Sequence, residues 1–402
     1  MVATVLPELT GLSREAQQLV LYADALTRSA SKIEDEFWEH KITELTNRLL
    51  TQEAAKTLAA LFQLLDEHAC YEHLEILGSM VEGIAESYTD HFQDQDYDSL
   101  LICIPFTAWT RFQLPHGPIE PALHQALHQL MHSQLLASDT DLYLHPELVN
   151  FEQLPQSFSQ TRLYLLSFLQ KLRQQKNAKV TLNTHEHDLH LLADVRFILG
   201  VVSVKRGAAV FQWQSTRESP LAVLERLQHQ WPEQAQKVLH SLFTGCEVHY
   251  GLPNAFYAAN RLADLFLRPL IIKAAVTWLE QAAQIAPNEL VAVIAACGHD
   301  QVEEYRVGFS HQDDENKIIY GCIWSLLSQQ EADNSSDEFI DAPAEIAELL
   351  SNLGVTEIRL LPGIYLPEYC EDCDSPHFPT SAGELVHPEL PDEVNLDPLV
   401  LH

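Results

Sequence analysis

The sequence predicts an α+β protein: a helical N-terminal region, two degenerate α/β sandwich modules, and a short C-terminal tail carrying a Cys-x-x-Cys pair. Three observations carry that expectation. Apolar residues recur at helical spacing from residue 12 to about residue 90. From residue 98 onward, short apolar runs that stop at prolines alternate with helical stretches. The two stretches so formed share an order of elements: strand, proline-bearing turn, helix, strand, hairpin, helix, strand. The expected division is a helical cap over 1–95, a first α+β module over 96–245, a second over 246–365, and a zinc-binding tail over 366–402.

Taken in order, Ser13 is placed to cap a first helix whose apolar face is Leu19, Val20, Ala23 and Leu26. Ser31 with Glu34 forms a capping-box pattern that opens a second helix over 33–50. Two further helical segments cover 53–68 and 71–88. Ser99 to Ile104 reads as a buried strand ending at Pro105, and helices follow over 120–137 and 157–174, with a short strand at 139–144 between them. Residues 195–204 and 209–214 read as two strands joined by a tight turn at Gly207. A helical region runs from Pro220 to Phe243, and a strand covers 246–251. A long helix follows, interrupted at Pro269. Leu290–Cys297 is a strand, 304–309 and 318–326 form a hairpin, and residues 331–341 read as an acidic linker. A helix over 343–353 closes at Gly354, and a last strand, 355–361, leads into the cysteines. The shared order resembles the split βαβ plan of ferredoxin-like folds. A duplication demands the same strand order in 98–245 and 246–361.

Composition narrows the function. The chain of 402 residues carries 24 Lys+Arg against 57 Asp+Glu, a formal net charge of −33. Such a surface opposes contact with nucleic-acid phosphates and with anionic lipid, so neither partner is expected. No basic segment followed by an apolar one opens the chain, and the apolar run 265–279 is broken by Arg268, Pro269 and Lys273; the expected location is the cytoplasm. The seven cysteines are odd in number and scattered, which is no disulfide framework. Nothing in the sequence selects an oligomeric state.

Chemistry concentrates in one stretch, Tyr369 to Pro391. Cys370 and Cys373 can turn both sulfurs toward one ion, and His387 adds an imidazole; thiolate and imidazole are the ligands zinc prefers. His377, Glu384, Glu389 or a water would complete a tetrahedral set. The competing readings are a redox pair and an inert one; no predicted helix N-terminus stands beside the thiols to lower a pKa. Elsewhere, Arg111, Arg261 and Arg306 are scarce cations that could line an anion pocket between the modules, or pair with Asp264, Glu303 and Glu304. His124, His128 and His132 share a helix face, which fits an amphipathic surface helix better than a metal site. His185-Glu186-His187-Asp188-Leu189-His190 approximates the metallo-β-lactamase-type motif, but its aspartate stands one place early, which favours a solvated turn.

Across nearly its whole length the chain also resembles one family. Ile33-Glu34-Asp35-Glu36-Phe37-Trp38, Asp98-Ser99-Leu100-Leu101-Ile102, Ala108-Trp109-Thr110-Arg111-Phe112, Gln153-Leu154-Pro155, Phe211-Gln212-Trp213-Gln214, Glu304-Tyr305-Arg306-Val307-Gly308-Phe309 and Cys370-x-x-Cys373 with Gly383-Glu384-Leu385-Val386-His387 are similar to the DUF2863 family of uncharacterised proteobacterial proteins. The resemblance brings no activity with it. It does imply a glycine after the second cysteine, where this chain has Asp374, and it implies no histidine at the position of His377.

The first functional reading is therefore a non-catalytic regulatory or protein-interaction protein with a structural zinc in its tail. The second is an enzyme or small-anion-binding protein with Arg111 and Arg306 in a cleft between the modules. A third, an acidic mimic of nucleic acid, requires carboxylates spaced regularly along one face.

Overall fold

A computed structural model describes residues 6, 8–51, 55–174, 180, 182–183, 192–299, 301–326 and 341–391. The N-terminal region is helical for the local reasons its sequence suggests. The Ser13 hydroxyl accepts the Ala16 N–H at 3.2 Å and opens α1 (Arg14–Thr27). Ser31 accepts the Glu34 N–H at 3.3 Å, and the Glu34 carboxylate answers at the Ser31 hydroxyl, 3.0 Å away, to start α2 (Lys32–Thr51). α3 (Ala55–Glu67) and α4 (Tyr71–Glu86) follow. Leu19, Leu45, Leu61, Leu77 and Val81 form a core among these four helices, and Phe158 and Tyr257 pack against it from outside.

The first sheet starts earlier than expected. β1 (Ser87–Phe92) leaves α4 directly and turns back into β2 (Gln95–Trp109), with Gln93 and Asp94 both left-handed at φ 49° and 61°. Two successive left-handed residues match the twist of a tight hairpin. β2 does not stop at Pro105. One edge pairs with β6 (Ala193–Lys205) throughout; the other is shared in turn by β1, β8 (Asn254–Ala255) and β7 (Glu247–Tyr250). Pro105 falls where β7 gives way to β8, and its carbonyl accepts the Gly251 N–H at 2.9 Å. Its missing N–H thus faces a break in the ladder and leaves no bond unmade. A Cβ on Gly251 would stand 2.6 Å from the Pro105 ring, so glycine permits the approach.

β3 (Gly117–Pro118) pairs with β5 (Glu147–Leu148), flanking α5 (Pro121–Gln134) and β4 (Asp141–Leu144). α6 (Phe158–Leu172), α7 (Gln212–Ser215) and α8 (Pro220–Leu239) complete the region. The hairpin expected at Gly207 does not form. Both edges of β6 are already taken, by β2 and by β4, so the chain after the turn makes only an isolated bridge between Phe211 and Leu136.

α9 (Phe256–Ala282) runs through Pro269 without interruption. One lost backbone bond is tolerated because both halves are pinned. Phe256, Ala259 and Ala263 pack beneath the first sheet; Ile272, Ala275, Trp278 and Leu279 pack beneath the second. The second sheet consists of β9 (Leu290–Cys297), β10 (Glu304–His311), β11 (Tyr320–Ser325) and β12 (Glu357–Tyr365), with α10 (Ala342–Asn352) before the last strand. The expected β10–β11 hairpin is present, pairing Phe309 with Tyr320. Gly354 closes α10 at φ 92°.

The α+β class and the helical N-terminal region are as expected; the duplication is not. In the first sheet the order β7-β2-β6-β4 is fully antiparallel, with α5 and α8 on one face, which is the ferredoxin-like order with α6 added behind. In the second the order is β11-β10-β9-β12, and β12 runs parallel to β9. A meander closed by one parallel edge strand is a different plan.

Candidate metal centre

After β12 the chain folds back over the face of the second sheet that α9 and α10 leave uncovered. Two short strands, β13 (Phe378–Pro379) and β14 (Leu385–Val386), make a hairpin whose far turn uses Gly383 at φ 85°. The sheet beneath is shaped to receive it. Gly308 and Gly321 are register partners in β10 and β11. A Cβ on Gly321 would lie 2.2 Å from the Phe378 ring, and one on Gly308 would lie 2.4 Å from the Pro379 carbonyl. The glycines open a window that the hairpin fills, leaving Phe378 buried.

The cysteines precede this hairpin in a tight loop. Tyr369 and Pro376 form a bridge across its neck, and the Cys370 N–H donates to the Ser375 carbonyl at 2.8 Å. The Asp374 N–H donates to the Cys370 carbonyl at 2.9 Å, with Asp374 left-handed at φ 59°. Aspartate is among the few side chains that tolerate this region. The knuckle turn therefore forms without the glycine that the family resemblance implies.

β14 ends one residue before His387, so pairing Val386 with Phe378 returns the imidazole to the cysteines. Ligand atoms of Cys370, Cys373 and His387 all lie within 4.8 Å of one another, and the Cys373 Sγ stands 3.2 Å from the His387 Nε2. The N–H groups of Asp372 and Cys373 point at the Cys370 sulfur and hold its thiol below the ordinary value. Two sulfurs and an imidazole around one point make a donor set suited to zinc, which would supply a coordination cross-link between knuckle and hairpin. His377 stands just outside this cluster, its ring centroid 6.3 Å from that of His387. Glu384 belongs to the hairpin's far turn, where its N–H meets the Thr380 hydroxyl at 3.2 Å; Glu389 lies 3.7 Å from Lys317.

The arginines serve different places. Arg306, on β10, is completely buried, and its Nε donates to Glu304 at 2.7 Å, one of the partners the sequence suggests. Its Nη1 donates at 2.7 Å to both the Glu368 and the His377 carbonyls, and its guanidinium stacks 4.9 Å from the Tyr369 ring. These donors are spent inside the fold, gripping the neck of the cysteine loop. Sequence reasoning misses this role because the partners lie 62 and 71 residues away. Arg261 pairs not with Asp264 but with Glu82 of α4, at 2.8 and 3.0 Å. Arg111 is half-buried in the loop after β2.

The remaining candidates are structural or lie elsewhere. On α5 the Nε2 atoms of His124 and His128 stand 3.1 and 3.2 Å from the Leu144 and Leu142 carbonyls of edge strand β4. Cys103, Cys297 and Cys322 are buried in the sheets, and burial pushes the Cys297 thiol up to about 11. The His185–His190 cluster and residues 331–340 of the acidic linker lie outside the described residues. Among the described residues, no helix is long and apolar enough to cross a membrane.

No curated protein and no solved structure matches this chain. One family model does, that of a protein of unknown function, DUF2863, over residues 6–400. A match of that length takes in the helical region, both sheets and the cysteine tail, and the chain belongs to the DUF2863 family.

Proposed function

We propose that this is a non-catalytic regulatory or protein-interaction protein whose C-terminal tail is pinned over its second sheet by a structural zinc. The convergence of Cys370, Cys373 and His387 within 4.8 Å, at the root of a hairpin seated on the Gly308–Gly321 window, carries this reading. The ion would tie the tail to the sheet face that carries Gly308 and Gly321. Leu360, Ile364, Leu366 and Tyr369 are exposed along edge strand β12 and the start of the tail, which favours a protein partner. The net charge of −33 turns that partner away from nucleic acid and anionic membranes.

Elemental analysis of the purified protein tests the metal. About one zinc per chain, lost in Cys370→Ser, is the expected result; equal zinc in both proteins overturns the assignment.

A small-molecule reading has an observation in its favour away from Arg111 and Arg306. A cavity of about 360 Å³ lies among α3, the start of α6 and the start of α9, walled by Leu58, Phe151, Phe158, Phe256 and Tyr257. Its apolar lining suits a small aromatic or aliphatic molecule rather than an anion. Binding of an uncharged apolar fluorophore, abolished by Phe158→Asp, would support it; the same fluorescence in both proteins would remove it.

A further inference from the structure

Three ligands leave a zinc with an open position, and an open position distinguishes a reactive centre from a structural one. We infer that His377 is the fourth ligand of a closed Cys2His2 site, with Arg306 as the positioning residue that holds its backbone in reach. The inference rests on the zinc reading above and decides its coordination.

Three observations point to His377. Its Nδ1 is buried and has no hydrogen-bond partner, with the Glu368 carboxylate standing 3.6 Å away. A buried imidazole nitrogen without a hydrogen-bond partner, four residues after Cys373, is available as a ligand atom. Its ring centroid lies 6.3 Å from that of His387. Two imidazoles sharing one tetrahedral zinc, at Zn–N distances of about 2.0–2.1 Å, place their centroids about 5 Å apart. The gap is on the order of 1 Å, within reach of a side-chain rotation. Finally, the backbone is fixed. The His377 N–H donates to the Glu368 carbonyl at 3.0 Å, and the buried Arg306 Nη1 binds the Glu368 and His377 carbonyls together. Glu304, 2.7 Å from the Arg306 Nε, orients the guanidinium in turn. A guanidinium that held the tail only by packing would have no need to grip both ends of the ligand loop.

The rivals are placed less well. Glu384 stands in the far turn of the hairpin, and Glu389 faces Lys317.

Cobalt(II) titration of the natural protein, His377→Gln and Arg306→Met gives the test, with zinc affinity read by competition against a chromophoric chelator. In the natural protein, intense visible bands of a tetrahedral S2N2 centre are expected. His377→Gln should weaken and shift those bands, raise the zinc Kd by roughly 10- to 100-fold, and recover both when imidazole is added. Arg306→Met should raise the Kd in the same direction while the bands at saturating cobalt stay tetrahedral, and Arg306→Lys should restore part of the affinity. Identical bands and affinity in His377→Gln overturn the fourth-ligand assignment while leaving the zinc reading standing. A natural protein that takes up neither metal overturns both. His377 is only partly buried, so its variant is expected to fold; should Arg306→Met not fold, Glu304→Gln carries the positioning arm, with an unchanged Kd counting against it.

Discussion

The two sheets of this protein solve the same burial problem with different means. The first is closed on both faces by helices. Ile102, Ile104 and Phe106 of β2 point toward α5 and α8, while Leu101 and Cys103 point toward α6 and α9. The second gathers Ala292, Ile294, Val307, Phe309 and Trp324 on the side of α9 and α10, while Val291, Val293 and Ala295, register partners of Ser310, Gly308 and Arg306, are buried on the opposite side. Its other face presents Gly308, Ser310, Gly321 and the buried Arg306, and a two-stranded hairpin covers it. Helices that bury large side chains stabilise the first sheet through apolar area. The tail buries Phe378, Pro379 and Thr380 there, and on the zinc reading the hydrogen bonds of Arg306 and the metal add to that packing. On the zinc reading, the tail-covered face can be made conditional on an ion; the face closed by Phe106 and Trp231 cannot.

Substitutions can break this contrast in order of size. Phe106→Ala, in the first sheet, should cost about 3–5 kcal/mol in chemical denaturation, and the loss should be the same with zinc or with chelator. A loss that grows with metal would mean the two sheets are not independent in this sense.

Acidity should act on the two regions in opposite directions. Glu86, at the end of α4, is pushed up to about 7, chiefly by burial, although its carboxylate accepts the Tyr257 N–H at 2.9 Å. A carboxyl raised above its ordinary 4.5 favours the folded state while protonated. Its contribution, roughly 3 kcal/mol, is therefore full below pH 4.5 and lost as pH rises to about 7. Glu86→Gln should flatten that slope in a pH series of denaturation curves. The tail runs the other way, since protons displace zinc from thiolate and imidazole as pH falls.

Gly321→Ala places a methyl against the Phe378 ring and should cost about 1–3 kcal/mol with zinc bound. Chelation, by freeing the tail, should remove most of that penalty, and an undiminished penalty would show that the tail stays seated without metal. The smallest effect belongs to the helical region. Ser31→Ala should cost about 1 kcal/mol, with no change in zinc affinity.

Legibility followed locality. β9 is readable residue for residue because Leu290–Cys297 is one unbroken apolar run, and the helix-opening Ser31 and Glu34 lie within four residues. The three metal-cluster residues are readable because Cys-x-x-Cys and the returning histidine lie within 18 positions, Cys370 to His387. What sequence reasoning loses depends on distant partners. Pro105 reads as a strand end unless the break between β7 and β8 is known. Gly207 reads as a hairpin unless both edges of β6 are known to be filled. Arg306 reads as the partner of Glu304, but its grip on the Glu368 and His377 carbonyls is out of reach of the sequence. The hairpin of β1 was not legible: Gln93 and Asp94 adopt left-handed φ without the glycine that marks such a turn in sequence.

Amide hydrogen exchange, compared between the zinc-loaded and chelator-treated protein, asks most directly whether a metal holds the tail on the second sheet. Protection should fall in residues 366–391 and in β10 and β11 when the metal is removed, with β2 and β6 unchanged. Equal exchange in the tail of both samples would contradict the account.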